Sequence, residues 1–226
     1  MSTTQSPAQS PAALTPAEVI DQLVAYGVVP VIRNSSAELA RTAVGWLREA
    51  GYGTFEITMT TPGAVGLIEE LSAEGDALIG AGTVLTPAAV AEVVKAGARY
   101  VVSPCVLPKV AAACRDHGVA CLMGALTPTE VHAAISAGAD AVKIFPASTV
   151  GPAHIKALKS VFPGVRIVPT GGIDATTVAS YVAAGVACVG AGGKLVDEGL
   201  VKKGDREAIL AAGRQLLEAY RAAKAA

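Results

Sequence analysis

The sequence predicts a closed (β/α)8 barrel preceded by a short N-terminal helix, and three observations carry that expectation. Eight short strand-like runs alternate with single amphipathic, Ala-rich stretches, a pattern that implies parallel pairing because each strand returns through a helix. The helical stretches are punctuated alike, with Thr ahead of proline at several starts and glycine at most ends. The chain has 226 residues and 52% hydrophobic content, enough for the single large core of an α/β barrel. A doubly wound open sheet is the competing architecture. It would favour a Gly-rich phosphate loop after its first strand, whereas the first run here continues into Asn34-Ser35-Ser36 with no G-x-G-x-x-G.

In chain order, Met1 to Leu14 is rich in Ser, Thr, Gln, Pro and Ala and is read as a disordered tail. Residues 15–226 are then a single barrel domain. Thr15-Pro16-Ala17-Glu18 combines an N-cap, a proline at the first helical position and an acid in the first turn, opening a helix that ends near Tyr26. The expected strands are Val28–Arg33, Thr54–Met59, Ala77–Val84, Arg99–Ser103, Ala120–Ala125, Ala141–Phe145, Arg166–Thr170 and Ala187–Gly190. Helices are expected over Ser36–Ala50, Pro62–Glu74, Pro87–Ala96, Pro108–His117, Pro128–Ala137, Pro152–Val161, Asp174–Ala184 and Asp205–Ala223. Thr61-Pro62, Thr86-Pro87 and Thr127-Pro128 serve as helix-opening signals. Gly51, Gly97, Gly118, Gly138 and Gly185 stand where a helix can finish in the left-handed conformation.

Composition narrows the function classes. Eighteen Lys and Arg against nineteen Asp and Glu leave a net charge of −1 without blocks of one sign, which gives no electrostatic footprint for nucleic acid or an anionic membrane. No run is apolar for some twenty residues, and the N-terminus lacks a signal-peptide core, so a cytoplasmic protein is expected. Cys105, Cys114, Cys121 and Cys188 form no C-x-x-C pair, and His117, His132 and His154 fall on expected helices. Neither a zinc site nor a catalytic Cys or His arrangement is indicated, and no metal or cofactor is expected.

In a barrel of this kind, chemistry sits at the carboxyl ends of the strands. The sixth run, Ala141-Val142-Lys143-Ile144-Phe145, places an ammonium group among apolar neighbours. Lysine is rarely buried without compensation, so Lys143 either snorkels to water or serves as an amine nucleophile. Glu56 is an acid within the second strand; it shares a face with Thr58 and offers proton transfer. Arg33, at the end of the first strand, suits a carboxylate, although a surface ion pair would also account for it. Gly80-Ala81-Gly82-Thr83 permits close backbone approach to a ligand and presents the Thr83 hydroxyl; tight packing would equally explain the glycines. After the seventh and eighth strands, Thr170-Gly171-Gly172 and Gly190-Ala191-Gly192-Gly193 occupy the two loops where barrels hold phosphate on backbone amides. The residues alone leave open an imine-forming enzyme, a sugar-phosphate isomerase without an imine, and a phosphate-ligand-binding barrel.

Glu56-Ile57-Thr58, Gly80-Ala81-Gly82-Thr83, Ser103-Pro104, Thr127-Pro128-Thr129-Glu130, Lys143-Ile144-Phe145-Pro146-Ala147 and Pro169-Thr170-Gly171-Gly172-Ile173 together resemble the 2-keto-3-deoxy-6-phosphogluconate (KDPG) and 4-hydroxy-2-oxoglutarate (KHG) aldolases. The likeness runs from about Val28 to Leu200 in the same order and spacing. It implies a class I pyruvate aldolase that is a homotrimer of (β/α)8 barrels without a metal, cleaving KDPG to pyruvate and glyceraldehyde 3-phosphate, with KHG as a further substrate. By motif, Lys143 is implied as the Schiff-base lysine and Glu56 as the acid/base. Thr83, Phe145 and Thr170 are implied to frame the pyruvate portion, and Arg33 matches an arginine found after the first strand in many members. Gly171, Gly172, Gly192 and Gly193 are implied to hold the phosphate. The sequence departs from the family pattern at Thr60, where one branch has an arginine. It also departs at Gly193, where a phosphate-binding serine is common and Lys194 follows, and at Cys105, where glycine or histidine is usual.

Overall fold

The computed structural model describes residues 14–226. The expected tail therefore lies outside the described residues except for Leu14, which packs against the apolar cluster at the base of the barrel. The chain opens with α1 (Pro16–Tyr26), β1 (Val28–Ile32), α2 (Ala37–Glu49), β2 (Thr54–Thr58), α3 (Ala64–Glu74) and β3 (Leu78–Gly82). It continues through α4 (Pro87–Lys95), β4 (Tyr100–Val102), α5 (Pro108–Asp116), β5 (Ala120–Ala125), α6 (Pro128–Ser136) and β6 (Ala141–Ile144). The last elements are α7 (Ala147–Val161), β7 (Ile167–Pro169), α8 (Val178–Ala183), β8 (Val189–Ala191), α9 (Glu198–Lys203) and α10 (Arg206–Ala225).

All eight strands are parallel, in the order β7-β6-β5-β4-β3-β2-β1-β8. A single bridge between Thr170 and Gly190 closes the ring between β7 and β8. The (β/α)8 barrel is thus the observed fold, with one lightly paired seam.

The local rules behind it are visible at the helix ends. Thr15 and Glu18 form a reciprocal capping box on α1, and Thr127 and Glu130 repeat it on α6, each satisfying amides that a helix start leaves unpaired. Thr86 caps α4 through the Ala89 amide. The third expected opening, Thr61-Pro62, is used differently. Helix α3 begins at Ala64 behind Gly63 (φ 78°), while the Thr61 hydroxyl accepts from the Asn34 amide across the β1 loop. Gly51, Gly97, Gly118, Gly138 and Gly185 all have positive φ, as their positions required. Three helical features differ from the expectation. α7 starts at Ala147, five residues before the expected Pro152, and is interrupted at Gly151; α8 starts at Val178 rather than Asp174, whose carboxylate instead organises the turn ahead of it; and α9 is a helix that the sequence did not announce.

Period-two alternation sorts the strand residues between two apolar clusters. Phe55, Ile57, Ile79, Ala81, Val101, Met123, Val142 and Ile144 face the helices. Val29, Leu78, Tyr100, Val102, Leu122, Ala141, Val168 and Cys188 face the lower interior, where Val19, Ile20 and Leu23 of α1 plug the amino-terminal end. Each of those three plugging side chains contributes roughly 1.5–3 kcal/mol relative to exposure, so the short first helix is part of the core. With α1 packed into the amino-terminal end, the open cleft lies at the carboxyl ends of the strands.

Candidate active site

The interior wall is built from glycines that make room for larger neighbours. A Cβ at Gly80 would lie 2.2 Å from the Tyr100 ring, one at Gly82 would lie 2.1 Å from Glu56 Oε1, and one at Gly190 would lie 2.3 Å from Thr170 Oγ1. At Gly124 a Cβ would strike the Pro104 carbonyl carbon at 2.1 Å. Gly80 and Gly82 therefore accommodate protein side chains, and the packing account of Gly80-Ala81-Gly82 is the one the fold uses. Tyr100 fills the floor, with its hydroxyl 3.1 Å from Thr54 Oγ1; burial pushes its phenol well above the ordinary range.

Above that floor lie the two charged residues. The neighbours of Lys143 (Val142, Ile144) and of Glu56 (Phe55, Ile57) pack outward, which turns Lys143 and Glu56 inward. β2 and β6 are four strands apart in a ring of eight and so stand opposite each other. Lys143 Nζ reaches across to within 3.3 Å of Glu56 Oε1, with side-chain exposures of 8% and 5%. The separation exceeds the about 2.7–2.9 Å of a tight charge-assisted bond. Lys143 Nζ also lies 5.4 Å from the centre of the Phe145 ring, which projects at the mouth beyond β6.

Lys143 forms part of the wall of an open cleft of about 810 Å3 at the carboxyl ends of the strands. Arg33, Thr83, Phe145, Thr170, Gly171, Gly172, Gly192 and Gly193 line the same cleft, so the candidate residues converge on one space; Glu56 is reached through its contact with Lys143. Arg33 donates to Thr60 Oγ1 at 2.8 Å and to Thr83 Oγ1 at 3.2 Å, which holds its guanidinium over the mouth. Thr83 has φ 59°, a left-handed conformation unusual for a β-branched residue and a sign of local strain at the strand end.

Beyond β7 and β8 the cleft is lined by a loop pair. Gly171 (φ 99°) and Gly172 (φ 74°) turn the chain after β7, and a Cβ at Gly172 would lie 2.7 Å from that of Ser148. Gly193 has open space around it, and neither the Gly172 nor the Gly193 amide donates to another group among the described residues. Asp174, Thr176, Thr177 and Lys194 complete this end. Asp174 Oδ1 accepts from the Thr176 amide, the Thr176 hydroxyl and the Thr177 amide, and Oδ2 accepts from Lys194 Nζ at 2.7 Å. Lys194 and Thr176 hold the Asp174 carboxyl well below the usual carboxylate range. Asp174 and the two threonines were not singled out from the sequence, although Asp followed closely by Thr is a recognisable turn-forming pattern.

Among the described residues no group of three or more His, Cys, Asp and Glu side chains is placed to hold a metal, and no helix is long and apolar enough to cross a membrane. Cys105 is exposed beside cleft-lining Pro104, while Cys114, Cys121 and Cys188 are buried. His154 Nε2 lies 2.6 Å from the Leu126 carbonyl oxygen and does not line the cleft.

Comparison with known proteins places the chain in a family. The family model described as KDPG and KHG aldolase matches residues 19–212. A probable 2-dehydro-3-deoxy-6-phosphogalactonate aldolase of Rhizobium meliloti is 38% identical over 76% of this chain and 83% of its own length. The 2-dehydro-3-deoxy-phosphogluconate aldolase of Treponema pallidum is 35% identical over 88% of this chain and 96% of its own. Among solved structures, KDPG aldolase from Legionella pneumophila, with pyruvate captured at low pH as a covalent carbinolamine intermediate, superposes with a TM-score of 0.81 at 32% identity, covering 90% of this chain and 98% of that one. The family match and these relatives extend over most of the barrel, and the chain belongs to the KDPG and KHG aldolase family.

Proposed function

We propose that this chain is a class I aldolase that cleaves 2-keto-3-deoxy-6-phosphogluconate to pyruvate and glyceraldehyde 3-phosphate, and 4-hydroxy-2-oxoglutarate to pyruvate and glyoxylate. The observation that carries this reading is the Lys143 amine 3.3 Å from the Glu56 carboxylate, in a buried interior that opens on a cleft. Lys143 Nζ adds to the C2 carbonyl of the substrate, and loss of water leaves a protonated imine. Glu56, acting through a water molecule, takes the proton of the C4 hydroxyl. The C3–C4 bond breaks, its electron pair moves into the imine to form an enamine, and the aldehyde departs. Glu56 returns the proton to C3, and water hydrolyses the imine to release pyruvate and the free amine. Arg33 and Thr83 receive the substrate carboxylate at the mouth, Thr170 and Phe145 frame the three-carbon portion, and Gly171, Gly172, Gly192 and Gly193 hold the phosphate.

Incubation with pyruvate and borohydride, followed by peptide mass analysis, tests this reading. Reductive capture on Lys143, together with loss of cleavage in Lys143→Ala, is the expected result. An unmodified Lys143 and an active variant would overturn it. The Rhizobium meliloti relative favours a second reading at the level of substrate, in which the C4 epimer, 2-keto-3-deoxy-6-phosphogalactonate, is preferred. Both epimers yield the same products, so kcat/KM measured on each separates the two readings. The assembly proposed with this activity is a homotrimer, which sedimentation equilibrium reads directly.

A further inference from the structure

In the ring order the glycine loops after β7 and β8 lie between Lys143 on β6 and Arg33 beyond β1, and the charged residues that these loops themselves add to the cleft are Asp174 and Lys194. Three donors from Thr176 and Thr177 fix the Asp174 carboxylate, so it cannot swing away from an arriving anion without giving up the turn it organises. A carboxylate held beside amides intended for phosphate is an electrostatic conflict, because like charges at contact distance repel. Lys194 resolves it. Its Nζ lies 2.7 Å from Asp174 Oδ2, and its side chain is 82% exposed, so the ammonium retains free N–H donors and room to turn into the cleft. It follows Gly193 directly, whose amide has no partner among the described residues. The same ion pair straps the β7 loop to the β8 loop above the seam that one bridge closes.

We infer that Lys194 is a specificity-determining residue of this chain: it neutralises Asp174 and donates to the terminal phosphate of the substrate, selecting phosphorylated over unphosphorylated 2-oxo acids. The inference rests on the aldolase reading for its substrates, while the ion pair of Lys194 with Asp174 is separate from that of Lys143 with Glu56. A charge-assisted contact of this kind predicts that Lys194→Met lowers the ratio of kcat/KM for phosphorylated over unphosphorylated substrate by about ten- to hundredfold. The loss should appear in KM more than in kcat, because the contact forms equally in ground and transition states.

The experiment measures both substrates on wild type, Lys194→Met and Lys194→Arg. Recovery of the ratio in Lys194→Arg, which keeps the charge, is expected. An equal fall on both substrates would reduce Lys194 to a strap between loops and overturn the inference, as would an unchanged ratio. Should wild type cleave neither substrate, the aldolase reading falls, and calorimetric titration with glycerol phosphate still tests Lys194. There, weaker binding by Lys194→Met supports the inference, and equal affinities overturn it.

Discussion

The Glu56 carboxylate lies directly against Gly82 of the neighbouring strand, so closely that a methyl group there would sit 2.1 Å from Oε1. Thr58 pairs with Gly82 in the ladder and Glu56 pairs with Gly80, so the acid leans one interior position toward the mouth along its partner strand. The missing side chain at position 82 is therefore what allows Glu56 to stand beside Lys143.

Gly82→Ala should accordingly displace the carboxylate while leaving Glu56 and Lys143 in the sequence. General acid–base catalysis contributes about 10²–10⁴-fold, and a fall in kcat within that range is expected, with Lys143 still captured by pyruvate and borohydride. Steady-state kinetics alongside the trapping assay checks it. Wild-type kcat in this variant would contradict the packing argument.

Gly80→Ala tests the floor. The new methyl would meet the Tyr100 ring at 2.2 Å, and the ring is fully buried and tied to Thr54, so it has little freedom to yield. Overpacking of this kind costs about 1–3 kcal/mol, to be read as a lower midpoint in denaturant-induced unfolding.

Thr83→Gly should separate stability from activity. A β-branched residue at φ 59° carries local strain of about 1–3 kcal/mol, which glycine relieves at an entropic cost of roughly 0.5–1 kcal/mol. The variant should melt at a temperature no lower than wild type while its KM for 2-oxo acids rises, because Arg33 loses the Thr83 hydroxyl. Calorimetry and kinetics on the same preparation report both effects.

Glu198 provides a pH test. Lys202, then Ser35, lowers its carboxyl from an ordinary 4.5 to about 2. The Ser35 amide and hydroxyl each donate to it at 2.7 Å, which ties the β1 loop to α9. A depressed folded-state pKa contributes stability that is present above the unfolded value and is lost as pH falls through the folded one. Wild type should therefore melt above Glu198→Gln at neutral pH, and the gap should close as pH falls from about 4.5 toward 2. A gap that is constant with pH would exclude the ionised carboxylate as its cause.

Much of the architecture could be read directly from the residues, because helix starts and stops are local chemistry. A Thr–Pro opening and a left-handed glycine close the same short-range hydrogen bonds in any fold. The errors lie where a local signal served a distant partner. Thr61-Pro62 resembles a cap, yet the Thr61 hydroxyl serves the Asn34 amide in another loop. α9 carries an N-cap at Asp197, basic residues in its last turn and Gly204 at its end, but six residues without an extended apolar stripe gave too short a period to read. Arg33 was legible as a guanidinium at the end of the first strand, while its anchoring by Thr60 and Thr83 depends on three strand ends meeting.

On its own, the order of residues determined the alternation of strands and helices, the ring they close into, and the face shared by Glu56 and Thr58, while it left open whether Lys143 points inward or out to water. A repeat of two along a strand assigns a side, and that assignment needs no neighbour. Only the folded ring decided distance: residues eighty-seven positions apart came to 3.3 Å because their strands oppose each other across the interior. The glycines of β3, β5 and β8 acquired meaning there as well, since an absent side chain is defined by whatever fills the space, and the occupant lies on another strand or loop.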